Sequence, residues 1–175
     1  NEPYWLLKNG IIKSYPSLQK NTACNVLIVG GGITGALMSF QLCSEGYKTI
    51  IIDKRDISLG STSATTSLLQ YELDEPLYSL IDKVGQEAAV GTYRAGVEAI
   101  QKLSRMVKSF NIACDFAMKK SLFIARTAKD AKWLMVEFEC RKKFKLGVRW
   151  LTKAQLVTEF GVDGFGAILS ETGGS

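Results

Sequence analysis

Short unbroken apolar runs alternate along this chain with stretches in which apolar residues recur every three or four positions. That mixture predicts strands interleaved with helices. Residues 26–29 ("VLIV") and 48–52 ("KTIII") have the length and β-branched character of buried strands. Between them, Ile33, Ala36, Leu37 and Phe40 mark one face of a helix over 33–44, which Gly46 should end. Strand, helix and strand in that order predict a parallel pair with a right-handed crossover. Residues 1–24 show no such period and read as an irregular arm, with Trp5, Leu6, Leu7, Ile11 and Ile12 expected to dock on the body.

A long loop follows the second strand until Pro76 opens a short helix to about Val84. Residues 86–110 then read as one long helix, because Val90, Tyr93, Val97, Ile100, Leu103, Val107 and Phe110 keep a single apolar stripe. Gly91 and Gly96 inside it either weaken the helix or permit close packing. From Asn111 the pattern changes. "DFAMKKSLFIAR" predicts two short strands around Lys119 and Lys120, followed by a helix over 129–144 and a strand over 148–151. A helix capped by Thr152 and a last strand over 167–170 complete the chain. The fold class is α/β: a Rossmann-like βαβ unit followed by the start of a mixed α+β domain, divided as 1–112 and 113–175. A doubly wound sheet needs more than two parallel strands. The chain therefore reads as the N-terminal portion of something about twice as long, unless the closing "GGS" is a linker scar.

Composition narrows the function more by exclusion than by assertion. The chain has 175 residues, 46% of them apolar and 22% charged, which is ordinary for a globular domain. No apolar run approaches a membrane span, and no secretory signal is visible. Four cysteines, Cys24, Cys43, Cys114 and Cys140, lie far apart without a CxxC pair and read as buried free thiols, which points to the cytoplasm. The net charge is +5, but the basic residues form no single stripe and nucleic acid is not expected as a partner. The densest basic run, "RKKFKLGVR" at 141–149, should sit at a helix C-terminus, matching the helix dipole and keeping that face solvated. There is no histidine. Within these residues no Ser-His or Cys-His nucleophile and no histidine metal site can form, and no metal is expected.

The chemistry concentrates in "NVLIVGGGITGALMSF", residues 25–40. Gly30, Gly32 and Gly35 follow a strand and open a helix, the spacing of a dinucleotide fingerprint. The first glycine allows the tight turn, the second lets a pyrophosphate approach the backbone, and the third lets the helix lie close on the strand. N–H groups from Ile33 onwards, with the helix dipole, would hold the anion. Asp53 ends the second strand 23 positions after Gly30, where a carboxylate accepts hydrogen bonds from an adenosine ribose. A carboxylate there disfavours the 2′-phosphate of NADP, although Lys54 or Arg55 could partner such a phosphate, flank the adenine or simply face solvent. The second strand then leads into Gly60 and "STSATTS", six hydroxyl residues in seven. Such a segment can supply donors along an extended cofactor, or its hydroxyls can cap a helix and meet water.

"VLIVGGGITGA", "IIDKRD" and "LGSTSATTSLLQ" resemble the N-terminal half of flavoproteins of the D-amino-acid oxidase group, which includes glycine and sarcosine oxidases, D-amino-acid dehydrogenases and glycerol-3-phosphate dehydrogenases. The resemblance is good over residues 24–110 and looser beyond, though "GAILSETGGS" looks like a strand returning to the cofactor domain. It implies FAD, with Gly30, Gly32, Ile33 and Thr34 on the pyrophosphate, Asp53 on the ribose and Arg55 near the adenosine; Gly35 at the helix contact and Lys54 beside Arg55 complete the cofactor-binding set read from the sequence. Gly60, Ser61 and Thr62 would run along the phosphates and ribityl chain, and Thr65, Thr66 and Leu68 would lie near the flavin ring. Covalent flavin attachment in that group uses His or Cys. With no histidine and no cysteine near these segments, non-covalent FAD is implied. The implied activity is oxidation of an amine, amino acid or hydroxy acid, with catalytic groups supplied mostly by a missing C-terminal half. Gln70 and Tyr71 either face the substrate or serve the core. The rivals are an NAD-dependent dehydrogenase and a dinucleotide-binding module without turnover.

Overall fold

A computed structural model describes residues 2–175. The chain gathers into two compact units that divide between Thr66 and Ser67.

The first unit contains α1 (Tyr4–Asn9), β1 (Val26–Val29), α2 (Ile33–Ser44), β2 (Thr49–Ile52) and a 3-10 turn over Ser61–Ala64. β1 and β2 pair in parallel, from Val26 opposite Thr49 to Val29 opposite Ile52. Gly46 takes a φ of +87° and turns the chain out of α2, a conformation that favours glycine. The Asn25 side-chain oxygen accepts the Lys48 N–H at 2.9 Å and fixes the start of the pair. The two strands form where the sequence places them, yet they are not buried strands. Val29 is 79% exposed, and Leu27, Ile51 and Ile52 are exposed as well. Their two-sided apolar character suits the middle of a wide sheet, and two strands with one helix cannot cover both faces. On α2, likewise, Ile33 and Phe40 are exposed, and the residue pressed on the strand is the buried Gly35. The arm also departs from expectation. Residues 4–9 are helical, Trp5 and Leu6 are half-buried, and Leu7, Ile11 and Ile12 are exposed rather than docked.

The second unit is a four-stranded antiparallel sheet with helices packed around it. Its elements are β3 (Leu69–Gln70), α3 (Leu77–Val84), α4 (Gln86–Ser109), β4 (Met118–Ile124), α5 (Ala128–Lys143), β5 (Val148–Leu151), α6 (Lys153–Phe160) and β6 (Ala167–Gly174). β6 is the central strand, with β4 along one side and β5 and β3 along the other. Its alternation sends Ile168 to a cluster with Ala125, Leu134 and Phe138, while Ala167 and Leu169 join Leu151 and Leu156. A third cluster joins Tyr71, Leu77, Ala89, Val90, Tyr93, Ile100 and Leu146 beneath the α3–α4 pair. α5 and α6 start on reciprocal capping boxes, Thr127 with Asp130 and Thr152 with Gln155.

Three sequence expectations change here. The two strands foreseen around Lys119 and Lys120 are one strand, β4, whose register shifts between Lys119 and Ser121. β6 runs on to Gly174 instead of stopping at Ser170, so the two glycines of "GGS" are buried strand residues. A side chain at Gly173 would meet the Lys119 carbonyl at 3.1 Å, which explains why the strand carries glycine there. The basic run is not uniformly solvated either. Lys142 and Lys143 are exposed, but Arg141 is 1% exposed.

Arg141 is buried because its charge is met on every side. Its Nε donates to Glu137 Oε1 at 2.6 Å, its Nη1 to Glu72 Oε1 at 3.4 Å, and its guanidinium lies 5.5 Å from the Tyr93 ring centre. Glu137 in turn accepts the Leu77 and Tyr78 N–H groups and so caps α3 from a different helix. Glu72 also accepts from Ser170 and Ser121, tying the network to β6 and β4. Burial lowers the tendency of Arg141 to stay charged, and the Glu137 carboxylate more than reverses this, leaving its pKa raised. Burial pushes the Tyr93 phenol up to about 12.

Removing one partner of a buried ion pair costs about 3–5 kcal/mol. Glu137→Ala should therefore lower unfolding stability in urea by that order. Lys142→Ala, on the exposed side of the same helix, should change it by under about 0.5 kcal/mol. Equal effects at the two positions would remove the network from its structural role. The two glycines of α4 should also part ways. A side chain at Gly91 meets open space and one at Gly96 meets Tyr71 Cβ at 3.0 Å. Gly91→Ala should stabilise by about 0.5–1 kcal/mol, while Gly96→Ala should destabilise, as thermal unfolding would show.

Candidate cofactor-binding site

The turn between β1 and α2 is built by three glycines with distinct duties. Gly30 has a φ of +112°, and its N–H donates to the Ile52 carbonyl at 2.8 Å. Only glycine takes that backbone conformation without strain. At Gly35 an added Cβ would lie 2.0 Å from the Gly30 carbonyl oxygen, so a side chain is excluded. Gly32 precedes α2 as its N-cap and offers no side chain to the free N–H groups of the first turn. The Thr62 hydroxyl does this instead, accepting the Ile33 N–H at 3.0 Å.

Asp53 closes the turn from the other strand. Its Oδ2 accepts the Gly31 N–H at 2.7 Å and its Oδ1 accepts the Arg55 N–H at 2.9 Å. The Gly31 N–H, followed by that of Arg55, lowers its pKa below the ordinary carboxylate value of 3.8. Each oxygen retains a lone pair for a further donor. The loop after Asp53 folds back on the same turn: the Ser58 N–H donates to the Gly31 carbonyl at 3.0 Å, and the Arg55 guanidinium lies against Gly60.

Gly30, Gly32, Ile33, Gly35, Asp53, Arg55, Gly60 and Thr62 thus meet around the start of α2. Thr34 lies exposed in the first turn of that helix. Lys54, Ser61, Thr65 and Thr66 are exposed, and Leu68 is exposed in the second unit, ahead of β3. The hydroxyl-rich loop divides its labour. Thr62 caps α2, while Ser63 is buried with its hydroxyl donating to the Gly60 carbonyl at 2.9 Å. The Thr65 carbonyl accepts the Trp5 indole N–H at 2.7 Å. Two contributors were missed by sequence reasoning. Gly31 was visible in the triplet, but nothing in the sequence marked Trp5 as a partner of residue 65. Tyr71 is a core residue, its hydroxyl donating to the Leu146 carbonyl and to Ser170. Gln70 is exposed. All four cysteines are free, but Cys43 and Cys114 are exposed and Cys24 and Cys140 only half-buried; Cys43 reaches the Thr49 hydroxyl of β2 at 2.9 Å with nothing covering it, and Cys114 lies in an exposed turn. Among the described residues no helix is long and apolar enough to cross a membrane.

Parallel strands joined by a helix, with an acid closing a glycine-lined turn, form a mixed α/β arrangement that matches the folds of solved FAD-binding oxidoreductases. L-Amino acid deaminase from Proteus myxofaciens shares that fold with a TM-score of 0.73 at 14% identity, covering 93% of this chain and 35% of that one. L-α-Glycerophosphate oxidase from Mycoplasma pneumoniae, solved with FAD bound, gives 0.64 at 14% identity over 87% and 38%. The protein YhfW of Bacillus subtilis (strain 168), provisionally named a Rieske 2Fe-2S iron-sulfur protein, is 27% identical over 142 residues, 81% of this chain and 28% of its own length. The family of FAD dependent oxidoreductases (DAO) matches residues 25–175, and this chain belongs to it. It spans between about a quarter and two-fifths of the length of these proteins.

Asp53 supplies a pH test. A carboxyl with a depressed pKa contributes stability that is complete above its unfolded value and lost as pH falls through the folded one. The Asp53 carboxyl should titrate below 3.8 by carbon NMR, and the exchange of the Gly31 amide should accelerate only below that pH. A midpoint above 4 would contradict the clasp.

Proposed function

We propose that this chain holds the ADP half of FAD in a Rossmann-like unit, within an oxidoreductase acting on an amine, amino acid or hydroxy acid. The observation that carries the reading is the joint closure of one turn by Asp53 and Thr62, in a chain of the FAD dependent oxidoreductase family. The site fits the cofactor's polar parts. The space beside Gly30 is open; a pyrophosphate there would take the Thr34 N–H and, in place of the Thr62 hydroxyl, the Ile33 N–H, with the helix dipole favouring its charge. Asp53 would accept from the ribose hydroxyls, with Lys54 and Arg55 beside the adenosine. Gly60, Ser61 and Thr62 would follow the phosphates and ribityl chain, and Thr65 and Thr66 would approach the ring. Bound without a covalent link, FAD supplies a hydride acceptor at flavin N5.

No residue of this chain is assigned to catalysis. The cation that holds the substrate, and any base, belong to the remainder of a longer polypeptide, consistent with the share of its relatives that the chain spans. In this reading residues 1–112 carry the FAD segment with its arm, and 113–175 begin the substrate domain. Four free thiols support a reducing compartment, the cytoplasm.

Titration of the full-length apoprotein with FAD should give a flavin absorption band, and Asp53→Ala should weaken binding by at least about tenfold, some 1.4 kcal/mol. Tight NAD binding without flavin would overturn the proposal. Of D-amino acids, N-methyl amino acids and glycerol phosphate offered anaerobically, at least one should bleach the flavin. If all leave it oxidised, the proposed substrate classes are wrong.

A further inference from the structure

We propose that Trp5 is a positioning residue for the cofactor loop, α1 acting as a clasp that holds residues 61–66 against the start of α2. The inference rests on the FAD reading above and concerns a segment outside the family match, which begins at residue 25. The contact is one directed bond across 60 positions, the Trp5 indole N–H donating to the Thr65 carbonyl at 2.7 Å. Apolar contact is confined to the half-buried Trp5 and Leu6, since Leu7 is 72% exposed and Ile11 and Ile12 are exposed beyond it.

The ring itself is held. Tyr4 meets it edge-on at 4.9 Å between centres, and the Lys8 ammonium lies 5.5 Å over its face. α1 has six residues, none of them buried, and a helix that short does not persist in water by itself. Its order therefore depends on the loop it meets. The loop is pinned at two points three residues apart: Thr62 at the Ile33 N–H and Thr65 at the indole. Between them the Ser63 hydroxyl turns inward to the Gly60 carbonyl. Fixing the Thr65 carbonyl fixes the backbone from which the exposed residues Ser61, Thr65 and Thr66 project. If the docked arm favours the loop conformation that takes FAD, bound FAD must favour the docked arm by the same factor.

The test is hydrogen exchange and FAD titration of the full-length protein, with Trp5→Phe, which keeps an aromatic ring without the N–H, and Trp5→Ala. In the apoprotein both variants should exchange faster at residues 62–66 with an unchanged melting temperature. Their FAD affinity should fall about three- to tenfold, and the flavin absorption band should shift. In the parent, FAD should slow exchange in residues 4–9. Parent-like exchange and affinity in Trp5→Ala would overturn the clasp. If the parent protein takes no FAD, the FAD reading fails and the coupling to cofactor fails with it. The apoprotein exchange rates then decide separately whether Trp5 orders the loop.

Discussion

The approach of Gly35 to the Gly30 carbonyl governs the first unit. An added Cβ would sit 2.0 Å from that oxygen, so the helix lies on the turn at a distance only a glycine permits. Everything polar in the site follows from that distance. The first-turn N–H groups of α2 come to stand beside the turn, where Thr62 can reach one of them. Gly30, held at a positive φ, turns the chain so that the N–H of the buried Gly31 meets Asp53. A helix standing farther away would leave these donors facing separate regions of solvent, and their fields would no longer add at one anion.

The second unit is organised by a charge placed where charge is costly. A buried guanidinium is tolerated only when carboxylates and hydrogen bonds surround it. Glu137 is shared between Arg141 and the start of α3, while Glu72 is shared between Arg141 and two strands. Helix α5 thereby fixes the entry of another helix and the facing of a sheet through one cluster. Such a cluster rewards one arrangement and penalises neighbouring ones, so it specifies geometry more than it adds stability.

Elements with a strong period or a cap were legible in the sequence. The long helix α4, the strand β5 and the Thr152 cap lie within a residue of expectation. The glycine turn and Asp53 were legible because their chemistry demands fixed spacing. What escaped reading depended on contacts across long separations. "VLIV" and "KTIII" look buried because they are apolar on both faces, yet exposure is a property of neighbours and not of the run itself. Arg141 sits in a run of cations, and nothing local separates it from Lys142 or Lys143. Its i, i+4 pairing with Glu137 was visible, but the burial of the pair was not. Trp5 carried no local mark because its partner is a backbone carbonyl, which every residue owns.

The position of β6 has a consequence for the order in which the second unit can form. The central strand follows the other elements of the second unit in sequence, and it pairs with three strands made before it. Leu69 waits for Gly174, roughly a hundred residues later, the kind of separation that slows folding. During synthesis β3, β4 and β5 leave the ribosome with no strand to lie against, while α3, α4 and α5 can already draw together. The sheet therefore cannot close until β6 is available, and until then the edges of its strands lack their native partner.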